Sequence, residues 1–157
     1  MITIDHRDKL HSAILFHDFT DEEMDEFLTL LEPLWAKAGE TVVPQDEIGD
    51  SMFVLVEGSC RVAHYKDGCE VELATLGEGD FFGELALIDK GPRSADVIAI
   101  SDVALLKVSQ AALATFAQIH PTAAYKLLMA IGRIMVNRLR LANKRYVDSL
   151  LFIRYEC

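Results

Sequence analysis

Gly39, Gly49, Gly58, Gly68 and Gly77 recur about every ten residues through the middle of the chain, with Gly79, Gly83 and Gly91 close behind. Turn signals at that interval, separated by short runs rich in β-branched and apolar residues, predict an antiparallel sandwich or barrel. The runs are 40–43, 52–56, 61–65, 71–74, 95–99 and 104–108. Asp67-Gly68 adds a two-residue hairpin signal. The runs are not self-similar, so the glycines report turn spacing and not an internal repeat.

Helical signals lie on either side of this region. Thr20 and Glu23 form a capping box, Met24, Phe27, Leu28 and Leu31 follow at helical spacing, and Pro33 is expected to close the segment. Ser109 can cap a second helix carrying Leu113 and Phe116, and Pro121 opens a third that runs to about Val147 or beyond. The expected architecture is mainly β with flanking α: an antiparallel β-roll or jelly-roll barrel, with a short helix inside the roll. A single domain covers 1–157, with an N-terminal helical segment about 1–33, the roll about 34–108 and C-terminal helices about 109–153.

The last helix is apolar on more than one stripe. Ala124, Leu128, Ile131, Met135, Leu139, Ala142 and Tyr146 step by threes and fours, while Leu127, Ile134 and Leu141 form a second line. A helix that only covers a barrel needs one stripe. The wider surface fits a homodimer through this helix, or a helix wedged between barrel and N-terminal segment within one chain.

Bulk properties narrow the function. A net charge of −10 argues against DNA or an anionic membrane as a global partner. Residues 120–147 carry Lys126, Arg133, Arg138, Arg140, Lys144 and Arg145 with no acid, which reads as a solvated face or as a local anion contact. No run reaches the length of a membrane span and no signal peptide is visible, so a cytoplasmic location without membrane contact is expected. Cys60, Cys69 and Cys157 read as reduced thiols. His6, His11, His17, His64 and His120 contain no His-x-His pair, so neither a metal site nor an enzyme of the metal-barrel kind is expected. No catalytic residues are assigned.

The segment with chemical content is Phe82-Gly83-Glu84-Leu85-Ala86-Leu87-Ile88, followed by Pro92-Arg93-Ser94-Ala95. It sets a glutamate and an arginine in a stretch otherwise apolar enough to be core, and a buried charge needs a partner or a ligand. Gly83 allows close backbone approach, and the first amides of the short helix can cradle an anion. Arg93 supplies a permanent forked donor, Ser94 a hydroxyl, and ionised Glu84 accepts from sugar hydroxyls. That set suits a phosphorylated sugar. A plain Glu84–Arg93 ion pair fastening the helix to a strand is the bland alternative.

The whole pattern resembles the cyclic-nucleotide-binding domain, the sensor module shared by catabolite activator protein, protein kinase A regulatory subunits and cyclic-nucleotide-gated channels. Residues 34–147 carry the resemblance. Phe82 to Leu87, a gap of five residues, then Arg93-Ser94-Ala95-Asp96-Val97, is similar to that family's phosphate-binding cassette, and Met52 to Gly58 is similar to its first hairpin. The resemblance implies a non-catalytic regulatory sensor, with no cofactor, that binds cAMP, with cGMP as second candidate. It implies that Glu84 holds the ribose 2′-hydroxyl. Arg93 neutralises the cyclic phosphate with Ser94 and amides of Gly83, Leu85 and Ala95, and Ala86 completes the cassette helix. Val62 and Leu73 would line an apolar wall, and Arg138, Ala142 and Asn143 would lie near the base. Ser94, where threonine favours guanine in this family, leaves adenine as the default.

The sequence departs from the family at Pro44-Gln45-Asp46, where a glycine is common, and only 148–157 follow the long helix. The expectation is therefore a sensor without a DNA-binding domain, signalling by repositioning its C-terminal helix to an unidentified effector protein. The alternative is a ligand-free dimerisation or docking module of the same fold.

Overall fold

The computed structural model describes residues 3–155. Helices α1 (Ile4–Ser12) and α2 (Asp21–Thr29) precede strands β1 (Glu32–Ala36), β2 (Thr41–Val43), β3 (Ile48–Gly49) and β4 (Ser51–Glu57). Then come β5 (Cys60–Lys66), β6 (Cys69–Leu76), β7 (Phe81–Phe82), the one-turn helix α3 (Leu85–Ile88) and β8 (Gly91–Pro92). β9 (Asp96–Ala99), β10 (Val103–Ser109), α4 (Gln110–Ile119) and α5 (Pro121–Tyr155) complete the chain. The strands form two four-stranded antiparallel sheets, ordered β1-β10-β4-β7 and β2-β9-β5-β6, joined by the β3-β8 ribbon. This is the β-roll with flanking helices that the turn spacing predicts.

β4 and β10 organise the core because both of their faces are buried. On β4, Met52, Val54 and Val56 face one apolar cluster while Phe53 and Leu55 face another. On β10, Ala104, Leu106 and Val108 join the first, and Val103 and Leu105 the second. Apolar residues at nearly every position, turned alternately to either face, are what a strand between two layers requires. The inner cluster fills the roll with Val43, Cys60, Leu76, Phe82, Val97 and Ala99. The outer one is covered by the helices.

An aromatic group supplies that cover. Phe27 of α2 lies 4.7 Å from Phe116 of α4, 5.6 Å from Phe16 and 5.7 Å from Phe19, between ring centroids. α2 is started by Thr20, whose hydroxyl accepts from the Glu23 amide at 3.2 Å while the Glu23 carboxylate accepts from the Thr20 amide at 2.9 Å. α4 starts at Ser109, whose hydroxyl accepts from the Ala112 amide at 3.0 Å. Both caps are those read from the sequence. The Asp67-Gly68 turn also forms, with both residues at positive φ, 53° and 79°.

Several elements differ from expectation. Pro33 does not close α2, which ends at Thr29; it sits within β1, paired opposite Leu106. β1 is an edge strand, where a missing N–H costs nothing if it faces outward. α1 is an additional helix, capped by Thr3. At the Pro44-Gln45-Asp46 departure, Asp46 itself adopts the left-handed conformation, φ 67°, which aspartate tolerates better than most residues.

α5 is 35 residues long, and only its first half is anchored. Ala123, Ala124, Leu127 and Ile131 are buried, and Ile134 and Met135 pack beside them. From Val136 to Ile153 every residue is exposed.

The aromatic group should dominate stability. Phe27→Ala removes a fully buried ring with three aromatic neighbours, and the expected loss is about 3–5 kcal/mol. Urea unfolding followed by circular dichroism measures it.

Candidate functional site

The site forms where β7 runs into α3 and where β8 delivers Arg93 back beneath it. Gly83 takes φ +75°, which turns the chain from strand into helix. A Cβ there would lie 2.6 Å from Arg93 Nη1, and one on Gly49 would lie 2.3 Å from Arg93 Cζ. The two glycines are thus the walls of a slot shaped to the guanidinium. Arg93 Nη1 donates to the Gly83 carbonyl at 3.2 Å and Nη2 to the Ser51 carbonyl at 2.8 Å. The Phe53 ring lies 5.7 Å from Arg93 Cζ.

Among the described residues, Arg93 forms no ion pair with a carboxylate. Burial pulls its guanidinium below the usual value, while Asp50, Glu47 and Glu84 at longer range pull it back. The group stays charged. A part-buried cation held only by carbonyl dipoles retains unused N–H donors and an unmet need for negative charge.

Glu84 has a different partner. Its carboxylate, with 13% of the side chain exposed, accepts from Arg138 Nη1 of α5 at 3.1 Å. Arg138 Nη2 reaches the Phe81 carbonyl at 3.4 Å, and its guanidinium lies over the Phe81 ring at 4.8 Å. The Glu84–Arg93 ion pair weighed from sequence is therefore replaced by a Glu84–Arg138 pair. Residues 82–93 could not show this, because the partner lies 54 positions downstream.

Between these groups opens a cavity of about 390 Å³ lined by Gly83, Glu84, Leu85, Ala86, Arg93 and Ser94, with Met135 of α5 at one side. The amides of Leu85 and Ala95 donate no hydrogen bond among the described residues. Ala95, two residues after the arginine, is buried. His64 of β5 ties the roll to the cassette through a 2.8 Å contact with the Ser94 carbonyl.

The structure does not bring every expected site residue into this cavity. Val62 packs against the inner cluster. Leu73 is 52% exposed at a β-bulge, where the β5–β6 register shifts. Arg138 holds Glu84, whereas Asn143 is exposed on the free half of α5. Gly49, Ser51, Phe53, Phe81 and Met135 are neighbours of Arg93, Arg138 or the cavity that the motif did not name. Gly49 carried a signal, read only as turn spacing. Among the described residues, no group of three or more His, Cys, Asp and Glu is placed to hold a metal ion. No helix of the described residues is long and apolar enough to cross a membrane.

A glycine-walled arginine facing a small, largely apolar cavity on an antiparallel roll is chemically suited to an anionic small molecule. The sequence profile of the family described as cyclic nucleotide-binding domain matches residues 33–120, and the chain belongs to that family. A cyclic AMP receptor protein of Thermus thermophilus is 31% identical over 139 residues, 88% of this chain and 62% of that protein. The chain thus spans less than two thirds of that relative's length. Thermus thermophilus catabolite activator protein superposes with a TM-score of 0.79 at 28% identity, over 89% of this chain and 64% of the other. The N-terminal domain of a Streptomyces coelicolor transcriptional regulator gives 0.73 at 32% identity, covering 88% and 94%.

Gly83→Ala tests the slot. It combines a positive φ with a collision against Arg93, so a loss of about 1–3 kcal/mol is expected. Gly77→Ala, whose Cβ would meet nothing within 4 Å, should be near neutral in the same urea titration.

Proposed function

We propose that this chain is a non-catalytic receptor for a cyclic purine nucleotide, cAMP in preference to cGMP. The observation that carries the reading is Arg93: a part-buried guanidinium without a carboxylate, opening onto a cavity that also holds Glu84. The cyclic phosphate takes the unused donors of Arg93, with the Ser94 hydroxyl and the amides of Leu85 and Ala95. The ribose 2′-hydroxyl donates to Glu84. Val62 and Leu73 supply apolar surface on the roll side, and an exposed Leu73 fits a wall that is covered when the base arrives.

Signalling follows from the Glu84–Arg138 pair. A hydroxyl donating to Glu84 competes with Arg138 for the same carboxylate, so occupancy loosens one tie between α5 and the cassette. The ligand shifts α5 only by its differential affinity for the two arrangements. Asn143 lies about 7.5 Å further along α5 than Arg138, so any contact with the base belongs to a repositioned α5. The ligand-free docking module draws on one observation, that Glu84 already has a partner. It leaves Arg93 unexplained.

An exposed line that runs the length of α5 and on through its free half is read as a homodimer seam. Tyr125, Met129, Gly132, Val136, Leu139, Asn143, Tyr146, Leu150 and Ile153 alternate by four and three along one line, and apart from half-buried Gly132 all are exposed. Such a stripe is a coiled-coil seam. The stripes foreseen from sequence divide otherwise, because Ala124, Leu127 and Ile131 are spent on the core. Lys126, Arg133 and Arg140 follow the seam on one flank, which disfavours an antiparallel pair that would set them against their own copies.

Calorimetry tests the ligand. Wild type should bind cAMP more tightly than cGMP, and Arg93→Ala should lose on the order of a hundredfold in affinity; identical heats from both proteins would refute the reading. Sedimentation tests the seam. Leu139→Asp should convert a dimer to a folded monomer, and a wild type that is monomeric with and without cAMP removes the dimer.

A further inference from the structure

We infer that Gln110 is the residue that carries cassette occupancy into α4, and so toward α5; the inference rests on the nucleotide-receptor reading above. Gln110 is the first residue of α4. Its side-chain Nε2 donates to the carbonyl of Ala86, in the middle of α3, at 2.8 Å, and the contact is part-buried. Its backbone N–H donates to the carbonyl of Asp50 at 3.1 Å. Asp50 adjoins Ser51, whose carbonyl accepts from Arg93 Nη2.

These contacts close a circuit. Arg93 holds Ser51 and Gly83; the Gly83 carbonyl also accepts the Ala86 amide at 3.2 Å; Ala86 is held by Gln110; and Gln110 returns to Asp50 beside Ser51. α4 is thus hydrogen-bonded at its first residue both to the helix that would close on an anion and to the strand end that anchors the arginine. A phosphate that draws Arg93 off either carbonyl, or shifts α3 toward itself, pulls the Ala86 carbonyl against the Gln110 amide. α4 has little slack to absorb this at its start, because the Ser109 cap and the Gln110 backbone fix its first turn. The motion is delivered instead to its far end, where His120 joins α4 to α5. Gln110 touches no ligand atom in this scheme, so it is a positioning residue, separate from the pocket.

Amide hydrogen exchange with and without cAMP, on wild type, Gln110→Leu and Gln110→Lys, separates transmission from binding. In wild type, cAMP should protect 83–95 and also change exchange across 110–119. Gln110→Leu keeps size and removes the donor. It should keep the protection at 83–95, with cAMP affinity equal or tighter because the ligand no longer has to displace α4, while the α4 response falls at least about fivefold. Gln110→Lys, which restores a donor, should restore the response. If Gln110→Leu does not fold, Gln110→Glu, similar in size and lacking the donor, takes its place with the same expected loss. An α4 response of wild-type size in the donor-less variant overturns the inference. Loss of cAMP binding in that variant while wild type binds also overturns it, since Gln110 would then be part of the pocket. A wild type that binds no cyclic nucleotide fails at the first step, and the receptor reading falls along with the inference.

Discussion

A part-buried arginine must place its N–H donors on something, and here the partners of Arg93 are backbone carbonyls of Gly83 and Ser51. Carbonyl dipoles satisfy donors without cancelling charge, so the guanidinium is fixed in position and stays electrostatically unsatisfied. Most features near it follow from that one choice. Gly49 and Gly83 lack side chains because the guanidinium occupies the space a Cβ would need. The β3-β8 ribbon, only two residue pairs long, aims Arg93 into the slot, since Pro92 pairs with Ile48 and Gly91 with Gly49. Phe53 presents its ring to the cation from the strand that separates the two cores.

That separating wall packs the roll interior and the outer helices against the same two strands. β4 and β10 are apolar at nearly every position because one face meets the roll interior and the other meets α1, α2, α4 and α5. β7 repeats the arrangement in miniature, with Phe81 in the outer cluster and Phe82 in the inner one. Tightly packed layers have few intermediate positions, so a displacement of α3 has to be taken up by its neighbours. Two polar ties join the helical layer to the cassette, Gln110 to Ala86 and Arg138 to Glu84.

The legible parts of the sequence were those whose physics is local. The Asp67-Gly68 hairpin and the Thr20 and Ser109 caps each specify a conformation within a few residues, and each is found where it was read. Gly49 and Gly91, read as turn signals, instead pair with each other in the β3-β8 ribbon. The cassette was legible as a pattern because Gly83, Glu84 and Arg93 sit close together in the chain. What stayed hidden was pairing at long range. Nothing in residues 82–93 says that Glu84 meets Arg138, or that Arg93 rests on Ser51, 42 positions upstream. Pro33 misled because a proline after a helical run resembles a stop, and only the neighbouring β10 makes it an edge-strand residue. On α5 the stripes overlapped. Periodicity cannot say which apolar residues a core will bury until the core itself is placed.

Glu84 and α5 together set a constraint that neither shows alone. The carboxylate is only 13% exposed, so leaving it without a donor would be unfavourable in any state of the protein. With Arg138 as its donor, α5 is drawn against β7 and α3; with a ligand hydroxyl as its donor, Arg138 is free to turn to solvent from a side chain already 44% exposed. Each arrangement satisfies the glutamate, and only the first ties α5 to the cassette through this pair. On the receptor reading proposed above, the switching element is the cationic end of the pair, carried on a segment with little packing to lose.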